Sequence, residues 1–160
     1  MPSIGNSWQA SSVKPFLDSG FLLTILTHRA GAETAWALLK ECERPVIISS
    51  LQLFFIRHGL GKTPLDPKES SEIHDLSVGA IKLLNWLIQQ EIIHSPEIDY
   101  QEVVSVAGAW ADKLRTPLPS LLVLWSASAT VSGADLFLSF DPRTRSLTKA
   151  AGLKVLPERL

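Results

Sequence analysis

Apolar and polar residues alternate along this chain in a pattern that predicts strands and helices in turn. Short apolar runs at 14–18, 46–48, 92–93, 136–140 and 153–156 are typical of strands buried in a sheet. Apolar residues spaced three or four positions apart predict helices between these runs. The predicted helices cover 21–39 with a break at Gly31, 50–60, 68–90, 100–114, 120–132 and the segment between 141 and 153. Because strands and helices alternate, we expect an α/β fold with three layers, α/β/α, around a central, mostly parallel sheet of about four or five strands.

Several boundaries of the predicted helices carry residues that favour helix ends. Ser49 or Ser50 and Asp99 are typical N-caps, because their side-chain oxygens accept hydrogen bonds from the free amides of the first turn. Pro64 and Pro117 cannot continue a helix, so we expect chain breaks at both positions.

The length and composition of the chain indicate one globular domain. We expect a flexible, serine-rich N-terminal lead-in over 1–13 and a single domain over 14–160. The sequence is 46% hydrophobic and 19% charged, and its longest apolar run, Leu121–Trp125, is too short to cross a membrane. The net charge of -1 means that a nucleic-acid partner needs a local basic patch. We therefore expect a cytoplasmic protein with no membrane partner.

Two aspartates follow predicted strands and mark a candidate site. Asp18 ends the first apolar run, and Asp141 ends the run that begins at Leu136. The carboxyl ends of parallel strands meet at one edge of the sheet, where open α/β folds place their ligands. Asp135 precedes the same run as Asp141, so we expect it at the opposite edge.

The last quarter of the chain resembles the PIN domain family. Residues 133–157 read GADLFLSFDPRTRSLTKAAGLKVLP, which is similar to the end of the bacterial VapC-like toxin ribonucleases. The first strand and helix, FLDSGFLLTIL, and the segment IDYQEVVSVAGAWADKL are similar to the same branch. The resemblance covers 15–157 and implies a PIN-like fold and a metal-dependent ribonuclease.

In the family, a set of four acids at the carboxyl ends of the strands holds Mg²⁺ or Mn²⁺, hard cations that prefer oxygen ligands. The resemblance places the first acid at Asp18 and the last at Asp141, which makes these two the implied catalytic and metal-binding residues. Ser139 stands where the family commonly has threonine. The implied chemistry is activation of water by the ion and stabilisation of charge on the phosphate.

The other two acids of the family pattern are absent. Phe55 stands at the glutamate position of the helix after the second strand, and Leu122 stands at the third acid. Trp125 and His58 likewise replace the family's histidine and asparagine, whereas Arg57 fits the pattern. Because two negative charges are lost around the ion, we expect a degenerate site that is inactive or weak.

The sequence therefore leaves two alternative functions. The first is a VapC-like protein that acts by binding RNA or a protein. The alternative is a working metal-dependent ribonuclease, the toxin of a toxin–antitoxin pair, that uses Asp18 and Asp141. The resemblance also implies a small antitoxin-like partner and a homodimer.

Candidate phosphate contacts come from four further residues. Ser19 follows Asp18, Arg57 lies on the helix expected to line the cleft, and Arg143 and Arg145 lie just beyond Asp141. The two arginines on the last helix are two positions apart, so they cannot fully share one face. An ordinary solvated helix face explains that basic patch as well as RNA contact does.

Two other kinds of site are disfavoured. The segment Gly59–Thr63 resembles part of a phosphate-binding P-loop, but the required first glycine is Ile56. Cys42 is the single cysteine, and no two histidines are four positions apart, so a zinc site is not expected.

Overall fold

Five short parallel strands form the centre of the structure. It is a computed structural model that describes residues 13–61, 70–113 and 118–158. Residues 1–12 of the lead-in expected over 1–13, and the chain breaks expected at Pro64 and Pro117, lie outside these residues. The strands are β1 (Pro15–Leu17), β2 (Val46–Ile47), β3 (Ile93–His94), β4 (Leu136–Leu138) and β5 (Lys154–Leu156).

The sheet has the order β3-β2-β1-β4-β5, and all four strand pairings are parallel. The predicted α/β class and the parallel sheet are confirmed. Every strand is shorter than its predicted run or displaced from it: β3 lies one residue later than 92–93, and β4 ends at Leu138 instead of at 140. Asp141 is instead the N-cap of the helix that follows.

Seven helices are present among the described residues, and they connect the strands. They are α1 (Ser19–Leu26), α2 (Ala32–Glu41), α3 (Ser50–Leu60), α4 (Ser70–Gln89), α5 (Tyr100–Ala111), α6 (Ser120–Val131) and α7 (Pro142–Ala150). Gly31 separates α1 from α2 with a φ of 92°, a left-handed conformation that glycine adopts without strain. The predicted N-caps Ser49 and Asp99 are confirmed, since each side chain accepts an amide hydrogen bond of the following helix.

Two hydrophobic cores lie on opposite faces of the sheet. Successive residues of a strand point to opposite faces, so Leu17 and Phe16 enter different cores. Helices α1–α4 pack on the face of Leu17, and α5–α7 pack on the face of Phe16. The ring of Phe16 stacks on that of Phe137 in the neighbouring strand, with centroids 5.9 Å apart. This is the predicted three-layer arrangement.

The pairing of β1 with β4 fixes what lies at each end of the sheet. Leu17 pairs with Leu138, so the residues that follow both strands emerge at the same edge. At the other edge, the backbone amide of Lys14 donates to Oδ2 of Asp135 at 3.0 Å, as expected for an acid far from Asp141. Within the described ranges, no helix is both long and apolar enough to span a membrane.

Candidate functional site at the carboxyl edge of the sheet

Asp18 is a buried carboxyl at the junction of β1 and α1. Only 3% of the residue is exposed, because β1 is the central strand and α1 turns directly over its end. Burial raises the pKa of Asp18 to about 6, against the lowering effect of a hydrogen bond from Ser139 and of the amides of Ser19 and Gly20. Asp18 therefore holds a proton at mildly acidic pH far more readily than an exposed aspartate.

Ser139 connects Asp18 with Asp141. Its hydroxyl donates to Oδ2 of Asp18 at 3.2 Å and accepts from the backbone amide of Asp141 at 3.1 Å. Ser139 itself is fully buried beyond the end of β4. The two aspartates singled out in the sequence thus lie together at one edge of the sheet, with the hydroxyl of Ser139 between them.

Asp141 is held by the helix that it begins. Its Oδ1 accepts from the amides of Arg143 and Thr144 at 2.8 and 3.1 Å, which caps α7. The guanidinium of Arg143 donates to Oδ2 at 2.8 Å. Arg143 is the main cause of the lowered pKa of Asp141. Asp141 is therefore a charged carboxylate with both oxygens engaged.

Aromatic side chains occupy the positions where the resemblance leads one to expect polar ones. The ring of Phe55 on α3 meets Trp125 on α6 edge to face, with centroids 5.8 Å apart and an interplanar angle of 69°. Trp125 is buried, Phe55 is 40% exposed and Leu122 is half-buried. On the outer side of Phe55, Phe54 stacks on His58.

The other candidate residues, Arg57, Ser19 and Arg145, lie in three different surroundings. Arg57 is exposed, and its Nη2 donates to Oδ1 of Asn85 at 2.7 Å. The hydroxyl of Ser19 is buried without a hydrogen-bond partner among the described residues. Arg145 is 6% exposed and donates to the carbonyls of Ser139, Pro157 and Glu158. Its guanidinium is occupied by the main chain, so we withdraw Arg145 as a phosphate contact.

Solved structures share this arrangement of strands and helices. Twelve chains match, among them one from the crystal structure of VapBC2 from Rickettsia felis bound to a DNA fragment from their promoter. The match has a TM-score of 0.60 and 12% sequence identity, and it covers 89% of this chain and 97% of that one. The present chain has a PIN-like fold. No family model matches the sequence, and no curated protein does.

The PIN-like fold raises the question whether its acidic edge fits a divalent cation. The described residues contain no group of three or more histidines, cysteines or acids able to hold a metal ion. Of the two acids present, Asp18 has a raised pKa and already accepts from Ser139, and both oxygens of Asp141 accept hydrogen bonds. A cation of this class takes several charged or carbonyl oxygens. The two carboxylates, as they stand, do not fit one.

Gln52 stabilises the carboxyl edge of the sheet, and the sequence pattern alone did not single it out. It is fully buried, its Oε1 accepts from the amide of Ser49 at 3.0 Å, and its Nε2 donates to the carbonyl of Leu17 at 3.1 Å. Gln52 thereby ties the start of α3 to the end of β1, beside Asp18. The available signal was the spacing of Ser49 and Gln52, which is that of a capping box.

Proposed function

We propose that this chain is a VapC-like protein of the PIN family that acts by binding and has little or no metal-dependent nuclease activity. The observation that carries the proposal is the contact of Phe55 with Trp125 at the acidic edge. Two large aromatic side chains meet there, on the two helices to which the resemblance assigns the missing acids. A metal-dependent site that hydrolyses phosphodiesters needs the opposite, a polar cluster of charged oxygens around the ion.

The chemistry of the two acids supports the same proposal. Asp18 would have to ionise in a buried position, and Asp141 already interacts with Arg143 and with the first amides of α7. A cation bound here would have only these two carboxylates as charged ligands. The two further carboxylates of the family pattern, which would add negative charge around the ion, are absent. We infer that Asp18 and Asp141 serve here as structural groups of the edge.

The proposed partners follow from the resemblance and from the matched structure. That structure is of VapBC2, so we infer an antitoxin-like protein partner and a homodimer for this chain also. RNA is the second proposed partner. The proposal includes a single domain over 14–160 and a cytoplasmic location.

Metal binding and RNA cleavage test the absence of nuclease chemistry. We expect no heat of binding for Mg²⁺ or Mn²⁺ at millimolar metal in calorimetric titration, and no cleavage of a labelled RNA with either ion. Metal-dependent cleavage that is abolished by Asp141→Ala would instead establish the alternative, a working ribonuclease that uses Asp18 and Asp141.

A gain-of-function variant tests the positions of the missing acids. Phe55→Glu with Leu122→Asp would place two carboxylates beside Asp18 and Asp141, and we expect measurable Mn²⁺ affinity in that double variant. The matched control is Phe55→Gln with Leu122→Asn, which has the same shape without the charge. If the acidic pair folds, as judged by circular dichroism, but binds no more Mn²⁺ than the amide pair, the placement of these positions is wrong.

A further inference from the structure

A cleft lies at the amino edge of the sheet, at the end opposite the two aspartates. It has a volume of about 320 Å³, and its lining includes the segments that lead from α2 into β2 and from α4 into β3. Pro45 and Ile92, which directly precede these two strands, both line it. The volume is at the lower end of the range for small-molecule sites, so the cleft fits a ligand of few atoms.

Two tryptophan side chains line this cleft, one from each helix. Trp36 on α2 is partly buried, and Trp86 on α4 is 47% exposed, although tryptophan is highly buried on average. The face of an aromatic ring attracts cations, and tryptophan does so most strongly. It also stacks on flat aromatic groups. The two rings therefore favour either a cationic ligand or a planar aromatic one.

Four charged side chains line the same cleft. They are the cations Lys40 and Arg44 and the acids Glu43 and Glu91, all exposed. Their formal charges cancel, so these side chains alone do not decide which sign of charge the ligand carries.

The ends of two helices decide that sign. α2 ends at Glu41 and α4 ends at Gln89, so the C-terminal ends of both helices adjoin the cleft. The C-terminus of a helix carries negative partial charge, because its last carbonyls have no amide partner within the helix. Lys40 offsets this charge in the last turn of α2, whereas the last turn of α4 contains no basic residue. The cleft therefore favours a positive ligand.

Covalent chemistry at Cys42, which also lines the cleft, is disfavoured. Its Sγ donates to the carbonyl of Leu38 at 3.3 Å. Burial raises the pKa of the thiol to about 11, and the charge of Glu41 acts in the same direction. Because the thiolate is the reactive form of cysteine, the thiol is inert at neutral pH. The cleft is suited to reversible binding.

We propose that this cleft binds a small organic cation with an alkylated ammonium group, which lies against the rings of Trp36 and Trp86. The carboxylates of Glu43 and Glu91 add to the attraction. The inference goes beyond the proposed function and does not rest on it, since it uses neither aspartate of the acidic edge and holds whether or not the chain cleaves RNA.

A titration of the full chain with choline chloride at constant ionic strength tests the cleft. The NMR signals of the tryptophan indole N–H groups provide the measurement. We expect the signals of Trp36 and Trp86 to shift and to saturate at millimolar choline, and that of Trp110, which packs on the other face of the sheet, to stay in place. No shift of Trp36 or Trp86 would overturn the inference.

A neutral ligand of the same shape tests the role of the charge. The alcohol in which carbon replaces the choline nitrogen has three methyl groups and a hydroxyl but no positive charge. We expect it to bind more weakly than choline. Equal affinity for the two compounds would show that the cleft takes apolar groups of this shape, and the inference would be wrong.

Trp86→Leu should weaken choline binding about tenfold, which is within the range for the loss of one cation–aromatic contact. The exposed position of Trp86 allows the variant to fold, and circular dichroism checks this. Phe54→Leu is the matched control, since it removes a ring that is 61% exposed on α3, and it should leave the affinity unchanged. Equal affinity of Trp86→Leu and the unaltered chain would contradict the proposal.

Two charge variants should change the affinity in opposite directions. Arg44→Gln removes a competing cation and should strengthen choline binding, whereas Glu91→Gln removes an acid and should weaken it. Adenosine monophosphate, a planar aromatic anion, tests the other kind of ligand. If it binds more tightly than choline and Arg44→Gln weakens its binding, the cleft takes an anion and the inference is wrong.

Discussion

Phe55 and Trp125 lie edge to face across the end of the sheet, with ring centroids 5.8 Å apart. Phe55 belongs to α3, which packs on one face of the sheet, and Trp125 belongs to α6, which packs on the other. The pair therefore joins the two outer layers beyond the carboxyl ends of the strands.

This contact should be measurable as a coupling energy. In a double-mutant cycle of Phe55→Ala and Trp125→Ala, we expect a coupling of about 0.5–1.5 kcal/mol, the range for aromatic pairs in such geometry. Urea unfolding of the four proteins provides the measurement. An exposed apolar side chain on α4 supplies the control: Leu76→Ala paired with Trp125→Ala should show additive losses. A coupling near zero for Phe55 would mean that the two rings merely lie near each other.

Replacing Asp18 should stabilise the protein in a pH-dependent way. The pKa of Asp18 lies at about 6 in the folded chain against an ordinary 3.8, so folding favours the protonated carboxyl. The stability contributed by that proton is fully present below pH 3.8 and is lost as the pH rises through about 6. The advantage of Asp18→Asn over the unaltered chain should therefore grow between these values and then level off.

The size of this advantage follows from the difference in pKa. One pKa unit corresponds to about 1.4 kcal/mol, so the growth should approach about 3 kcal/mol. Chemical denaturation at a series of pH values provides the measurement. Gln101→Asn, at an exposed position of α5, changes no titratable group and is the control that should give a flat difference. A flat profile for Asp18→Asn as well would show that Asp18 ionises without cost.

Arg145→Ala should destabilise the protein by about 2–3 kcal/mol, because the buried carbonyl of Ser139 and the partly buried carbonyl of Pro157 lose their donor. The guanidinium bonds the carbonyl of Ser139, at the acidic edge, and that of Pro157, beyond β5. Arg143→Ala removes the same type of side chain from an exposed position and should cost less. Thermal melts of both variants give the comparison. An equal loss of stability in the two variants would mean that the hydrogen bonds of Arg145 to the main chain contribute no more than an exposed arginine does.

The different roles of Arg143 and Arg145 could not be predicted from the sequence. A basic helix of nine residues predicted a solvated or RNA-binding face, and neither pattern nor spacing distinguishes two arginines two positions apart. Which one is buried depends on the chain after β5, whose carbonyls come close to α7 only in the folded structure. The sheet, by contrast, was predictable, since each strand is an apolar run between helices and needs no distant partner to be recognised.

Gln52→Leu should lower the stability by about 1–3 kcal/mol, since the carbonyl of Leu17 and the amide of Ser49 would both lose their partner in the core. Gln101→Leu makes the same chemical change at an exposed position of α5 and should be nearly neutral. Hydrogen exchange gives a second measurement, in which the amide of Ser49 should exchange faster in Gln52→Leu. An unchanged rate would show that the capping box does not depend on this side chain.

The position of β1 in the middle of the sheet affects how the chain is made on the ribosome. β1 emerges early, but its neighbour β4 comes from the last quarter of the sequence, and their first contact joins Lys14 to Asp135 across 121 positions. Until β4 has left the exit tunnel, one side of β1 presents unpaired amides and carbonyls, a template for wrong pairing. A chaperone that shields this edge during synthesis would therefore act before β1 pairs with β4, and so before Asp18 and Asp141 come together.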